Sequence, residues 1–342
     1  MRAISPYLET TCAGITAWWA ARIARKYNLV ISIGYPEITT IPEAIPGRVG
    51  IDPSLALQQA LNTASHSTNE ILSDTTTKYW TFNSTLTVAP DGQVLAHYRK
   101  THLYYTDATW ATSSIEGFST TKLSFSSIPT TISTSFAICM DLNPKAFTAA
   151  WTSYEVANHA LSTNAELVVV STAWMTRDDS SARNSVSPCC PQDTAREPDM
   201  ESLTYWIERF VPLIKATTKT TIIIANRIGD EEGIVKACDL DNLVQPLLES
   251  EPQPDLKENQ ETRVYHPAKD LSDESMAGFT AEKAPGIVST SAHYAGTSTI
   301  LTVGNGVVSV HGLLGRGVEG VLVTDTGKTA VMSFTLKLQN GE

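Results

Sequence analysis

The chain has 342 residues, 42% of them hydrophobic, enough for one large core or two modest ones. Its net charge of -11 excludes a generic nucleic-acid surface, which needs a basic patch. No apolar run reaches the ~20 residues that span a bilayer, and five cysteines (12, 139, 189, 190 and 238) without framework spacing suit a reduced, cytoplasmic compartment.

In chain order, residues 13–27 predict an amphipathic helix with Ile15, Trp19, Ile23 and Tyr27 on one face. A β-branched strand, Leu29–Gly34, follows and ends in a Gly-Tyr-Pro turn. Residues 38–78 are polar, carry Pro42, Pro46 and Pro53, and read as an insertion. From Tyr79 a meander is expected: one strand to Val88, a turn at Pro90-Asp91-Gly92, and a second strand over Val94–Arg99.

Residues 101–127 read as loop, and a strand is expected from Thr131 to Cys139. Asn143 then caps a helix with Pro144 at its first position, and Phe147, Ala150, Trp151, Tyr154 and Leu161 form its stripe. The unit repeats as strand 166–172, helix 200–216 and strand 221–226. Further insertions are expected at 178–199 and, acidic, at 230–292. Three short runs, 299–303, 307–313 and 320–324, close an α/β protein read as one domain over residues 1–342.

Two segments carry candidate chemistry. Cys139, at the carboxyl end of a buried strand and before a capped helix, stands where α/β sheets place ligands. There the helix N-terminus would favour a thiolate, although a small buried hydrophobe is the other reading. Lys100, leaving its own strand, could lower a thiol pKa and stabilise an oxyanion, or simply face solvent. His102 could pair with the cysteine, or pack.

The segments Phe82-Asn83-Ser84, Asp91-Gly92, Tyr98-Arg99-Lys100 and Ile138-Cys139-Met140-Asp141 together resemble the nitrilase, or carbon–nitrogen hydrolase, superfamily. Val168–Met175 and Gly296–Ile300 add to the likeness. Within the superfamily the motifs are most similar to the fungal protein N-terminal asparagine/glutamine amidohydrolases. They include His102–Asp107 with Trp110, Glu116-Gly117-Phe118, Cys139–Pro144, Ala173–Thr176 and Asn226–Gly229.

The resemblance implies an αββα sandwich and hydrolysis of the side-chain amide of N-terminal Asn or Gln through a cysteine thioester, without metal or organic cofactor. It implies Cys139 as nucleophile, Lys100 as cationic stabiliser and Glu116 as a further family glutamate. Asp141 and Trp174 are the candidate substrate-binding residues, Asp141 for the free α-amine. Partners are then the N-termini of proteins or peptides, with neither nucleic acid nor membrane.

The family's general-base glutamate closes a first strand that would precede Ser5–Glu9. The chain is therefore expected to lack that strand, its helix and the base; Glu37 and Glu9 are the nearest stand-ins. General-base loss costs on the order of 10²–10⁴ in rate. The alternatives are a small-molecule amidase of the same superfamily, or a non-catalytic protein that keeps the fold as a binding module.

Overall fold

The computed structural model describes residues 4–39, 79–125, 128–176, 196–236 and 287–335. The expected insertions at 38–78 and 178–199, and the centre of that at 230–292, lie largely outside them.

A short strand β1 (Glu9–Thr10) precedes helix α1 (Ile15–Tyr27), which returns the chain into β2 (Ile31–Thr39), parallel to β1. Strands β3 (Trp80–Val88) and β4 (Val94–Arg99) extend this sheet antiparallel in the order β1-β2-β3-β4. The turn between them is the expected Asp91-Gly92, with Gly92 at φ 82°, a conformation glycine adopts without a Cβ clash.

After a one-turn helix α2 (Tyr105–Ala108) come β5 (Thr120–Phe125) and β6 (Ile128–Ile138). Helix α3 (Glu155–Ser162) leads to β7 (Leu167–Thr172), and α4 (Met200–Glu208) and α5 (Val211–Lys215) lead to β8 (Thr220–Asn226). Strands β6, β7 and β8 are mutually parallel, so their carboxyl ends meet at one edge. A ribbon of β9 (Asp230–Lys236) and β10 (Ile287–His293) stands apart. Then β11 (Thr299–Gly304), β12 (Val307–Leu313) and β13 (Met332–Thr335) complete a seven-stranded sheet in the order β13-β12-β11-β8-β7-β6-β5.

Three apolar layers show the expected αββα sandwich. Helix α1 packs on Leu86, Val88 and Val94 of the smaller sheet. Ala96 and Tyr98 meet Leu123, Phe136 and Ile138 between the sheets. Outside the larger sheet, Val156, Ala157, Leu203, Trp206, Leu213 and Ile214 cover Val168, Val170, Ile222 and Ile224. Burial of this apolar area is the main force holding the layers together.

Several expectations are corrected. Helix α1 buries Ala17, Ala20, Ala21 and Ala24, whereas Ile15, Trp19 and Tyr27 are exposed. A small-residue stripe lets the helix sit close on the sheet, so large apolar spacing marked the wrong face. The Gly34-Tyr35-Pro36 segment lies inside β2 rather than ending it. No helix begins at Pro144; short 3-10 turns at 139–142, 145–147 and 151–153 precede α3, and Leu161 is exposed.

Residues 101–127 contain α2 and β5 rather than loop alone. The helix expected over 200–216 breaks at Arg209-Phe210, ahead of Pro212. Within the stretch expected as an insertion, residues 230–236 and 287–293 pair as a ribbon, which leaves that expectation as it stands. The closing strand is 332–335, not 320–324.

Candidate active site

Cys139 directly follows β6, at the edge where the carboxyl ends of β6, β7 and β8 meet. Its φ is 45°, a left-handed conformation that costs a non-glycine residue on the order of 1 kcal/mol and persists only when neighbours impose it. The neighbour that imposes it is Asp141. Its Oδ2 accepts from Ile138 N at 2.7 Å and from the Tyr98 hydroxyl at 2.8 Å. Its Oδ1 accepts from His102 N at 2.7 Å and Thr101 N at 3.1 Å. One buried carboxylate thus ties the start of the Cys139 turn to the chain just after Lys100.

The excursion beyond Cys139 is held by Arg209. Its side chain donates to Leu142 O and Trp151 O while the guanidinium lies over Trp151 and Tyr154. The Tyr205 hydroxyl donates to the Asn143 side-chain carbonyl.

Lys100 enters the site at the end of β4. Its N–H donates to Asn83 O at 2.8 Å and its ammonium lies 2.5 Å from Asp107 Oδ2. Burial opposes this charge, but the Cys139 sulfur, Asp107 and Asp141 outweigh it and raise the pKa. Lysine is therefore a fixed cation here.

Burial pushes the Cys139 thiol up, while the Lys100 ammonium and the Ala173 backbone N–H act in the opposite direction and offset only part of it. Because no α-helix starts at Pro144, a lysine and a backbone N–H replace the helix dipole expected from the sequence.

Ala173 belongs to the turn after β7. The Thr172 hydroxyl donates to Asn226 Oδ1 at 2.6 Å, and Trp174 N donates to the same oxygen at 2.7 Å. Asn226 Nδ2 donates to Gly296 O at 2.8 Å. Trp174 itself packs on Tyr205 and Trp206, half-buried.

The remaining candidates fall in different places. His102 is buried edge-on to Phe118, with Nδ1 3.1 Å from Asn143 O, a packing and hydrogen-bonding role. Glu116 is exposed in the turn before β5. Its charge acts on Arg99, while the carboxylate on Lys100 is Asp107. Asp141 is buried with both oxygens occupied by backbone and tyrosine donors, so its geometry is that of a brace rather than of a receptor for an amine.

Glu37 is fully buried and bound by Arg99, Ser84, Thr11 and His97. Although burial alone would raise its pKa, the His97 and Arg99 hydrogen bonds hold it well below the carboxylate range. Glu9 accepts from Thr16 N and Thr16 Oγ1 at the start of α1. Both glutamates are committed to the fold.

Sequence reasoning gave no role to Asp107, Ala173, Asn226 or Arg209. Asp107 and Asn226 stood inside quoted motifs; a backbone N–H and a distant arginine leave no local signal. Among the described residues, no grouping of His, Cys, Asp and Glu could hold a metal ion, and no helix is long and apolar enough to cross a membrane.

No protein-family model matches the chain. The protein N-terminal amidase of Schizosaccharomyces pombe is 34% identical over 164 residues, covering 45% of this chain and 52% of that protein. That of Saccharomyces cerevisiae is 27% identical over 192 residues, covering 39% and 42%. The chain thus spans about half the length of the curated relatives it matches. A crystal structure of N-terminal amidase with an Asn-Glu-Ala peptide superposes at a TM-score of 0.55 and 17% identity, over 93% of this chain and 83% of that one. The chain has the N-terminal amidase fold. A second crystal structure, of N-terminal amidase with a Gln-Gly peptide, superposes at 0.54 and 17%, over 92% and 82%.

Proposed function

We propose that the chain is an amidohydrolase that converts the N-terminal Asn or Gln of peptides and proteins to Asp or Glu, with release of ammonia. The single observation that carries this reading is the juxtaposition at Cys139: a thiol on a left-handed turn at the carboxyl end of β6, with the Lys100 cation and the Ala173 backbone N–H both acting to favour its thiolate. The fold likeness to N-terminal amidases, some of them bound to Asn- and Gln-starting peptides, supports the substrate class.

In the mechanism that this arrangement supports, the Cys139 sulfur attacks the side-chain amide carbon while its proton passes to the amide nitrogen. The oxyanion that forms is stabilised by the Lys100 ammonium and by backbone N–H groups at the turn, Ala173 among them. The C–N bond breaks, ammonia leaves, and a thioester remains. Water then attacks the thioester; its hydroxyl stays on the carbonyl carbon and its proton returns to the sulfur. Asp141 holds the Cys139 and Lys100 segments in register, and Trp174, next to Ala173, packs on Tyr205 and Trp206 and is the candidate substrate contact. Glu116 stands at the exposed rim, outside the proton transfers. Such a reaction on protein N-termini belongs in the cytoplasm, in keeping with the unpatterned cysteines.

One observation favours a second reading, a non-catalytic binding module. Glu9 and Glu37 are both held by the fold, and neither is in place to serve Cys139 as a base. Ammonia release decides between them. The chain is incubated with Asn-Glu-Ala, Gln-Gly and the free amide glutaramate, with the peptide products identified by mass. Ammonia from the peptides is the expected result. Ammonia from glutaramate alone makes the chain a small-molecule amidase, and none from any of the three leaves the binding module.

A further inference from the structure

Lys100 is gripped at both ends by one small ring of residues. Asn83 O accepts the Lys100 backbone N–H at 2.8 Å. The Asn83 side-chain amide donates to Asp107 Oδ1 at 3.1 Å, and Asp107 Oδ2 lies 2.5 Å from the Lys100 ammonium. Tyr104 N also donates to Oδ2, at 3.0 Å, which fixes the carboxylate to the first turn of α2. Asp107 and Lys100 are both buried, 7% and 2% exposed, so the pair is shielded from the screening that weakens surface ion pairs. A lysine has four rotatable bonds and no intrinsic reason to stay at one point. The ring supplies that reason.

We propose that Asp107 is the positioning residue that fixes the Lys100 ammonium beside the Cys139 thiol. The inference rests on the reading of Cys139 as the nucleophile and deepens it. In that role Asp107 touches neither substrate nor sulfur. It acts by aiming the cation, so that the charge stabilising the thiolate and the oxyanion is in place before the reaction begins. Glu116, nine residues further along the chain, is exposed and does not compete for this place.

The two ways in which Asp107 could act on the thiol have opposite signs. As a bare negative charge near Cys139 it opposes the thiolate, and its removal would make the thiol more acidic. As the anchor of Lys100 it favours the thiolate, and its removal makes the thiol less acidic because the ammonium leaves.

The test is the pH dependence of Cys139 alkylation by iodoacetamide in the full chain, read at the peptide containing Cys139 by mass spectrometry. In Asp107→Asn, which removes the charge and keeps one acceptor oxygen, the midpoint is expected to rise by about one pH unit. Lys100→Met should raise it by at least as much, and the double variant no further than Lys100→Met. Asp107→Glu, which retains the charge but displaces the ammonium, should also raise it. A midpoint that falls or stays constant in Asp107→Asn, or shifts that add in the double variant, overturns the proposal. If Asp107→Asn does not fold, Asp107→Glu carries the test alone, an unchanged midpoint then being the overturning result. Because alkylation needs no substrate, the positioning role can stand even if no peptide is deamidated. With a peptide substrate, kcat should fall about 10-fold or more with KM little changed.

Discussion

Arg99 and Lys100 are consecutive in the chain, yet their cations go to different carboxylates: Arg99 reaches across β3 to Glu37 in β2, Lys100 to Asp107 in the helix that follows. Residues at successive strand positions project to opposite sides. One cation is thereby spent on holding β2 to β4, and the other is left for the cysteine.

The Arg99–Glu37 pair makes stability depend on pH on the acid side. The folded pKa of Glu37 lies below its unfolded value near 4.5, so its contribution is present above that pH and lost as pH falls through the folded value. Glu37→Gln should cost about 2–4 kcal/mol at pH 7, less at pH 4, and flatten the acid limb. Urea unfolding at several pH values measures this; equal losses at pH 7 and pH 4 would contradict it.

Replacing the sulfur tests the nucleophile directly. Cys139→Ala should abolish ammonia release from an Asn-starting peptide, a loss of more than about 10⁴-fold, without lowering the unfolding temperature. Removal of the left-handed cysteine's neighbouring cation, Lys100→Met, should lower kcat by about 10²–10³-fold, the usual effect of losing one oxyanion partner. Steady-state kinetics separates the two.

Asp141 should behave as a structural brace. Asp141→Ala strands the N–H groups of Thr101, His102 and Ile138, while the Tyr98 hydroxyl is left with Thr101 Oγ1 alone. Unsatisfied buried donors cost about 1–3 kcal/mol each, so a loss of about 3 kcal/mol or more is expected in urea unfolding. If the variant instead kept its stability and lost only affinity for the peptide's α-amine, Asp141 would be a substrate residue.

The face of α1 can be tested by substitution on its two sides. Ala21→Leu adds bulk where the helix meets the sheet and should cost about 1–3 kcal/mol. Trp19→Gln, at a site 45% exposed, should change stability by less than about 1 kcal/mol. Comparable losses at both positions would mean that the outer face is covered.

The alternation at 80–99 and the β-branched runs at 166–172 and 221–226 determined strands, because period and side-chain shape are local properties. The same locality made Cys139 and Lys100 legible: each ends a strand, where a chain leaves the sheet and a side chain can reach a ligand. Tertiary structure decided which face of α1 is buried, since close contact with a sheet favoured alanine over the larger residues that periodicity selected. It decided that Asp141 braces, that Glu116 stands outside and that Asp107 holds Lys100, because hydrogen-bond partners tens of residues apart leave no pattern in the chain. It also replaced the helix dipole with a lysine and an alanine N–H, for a strained turn at Cys139 exists only where a buried carboxylate can hold it.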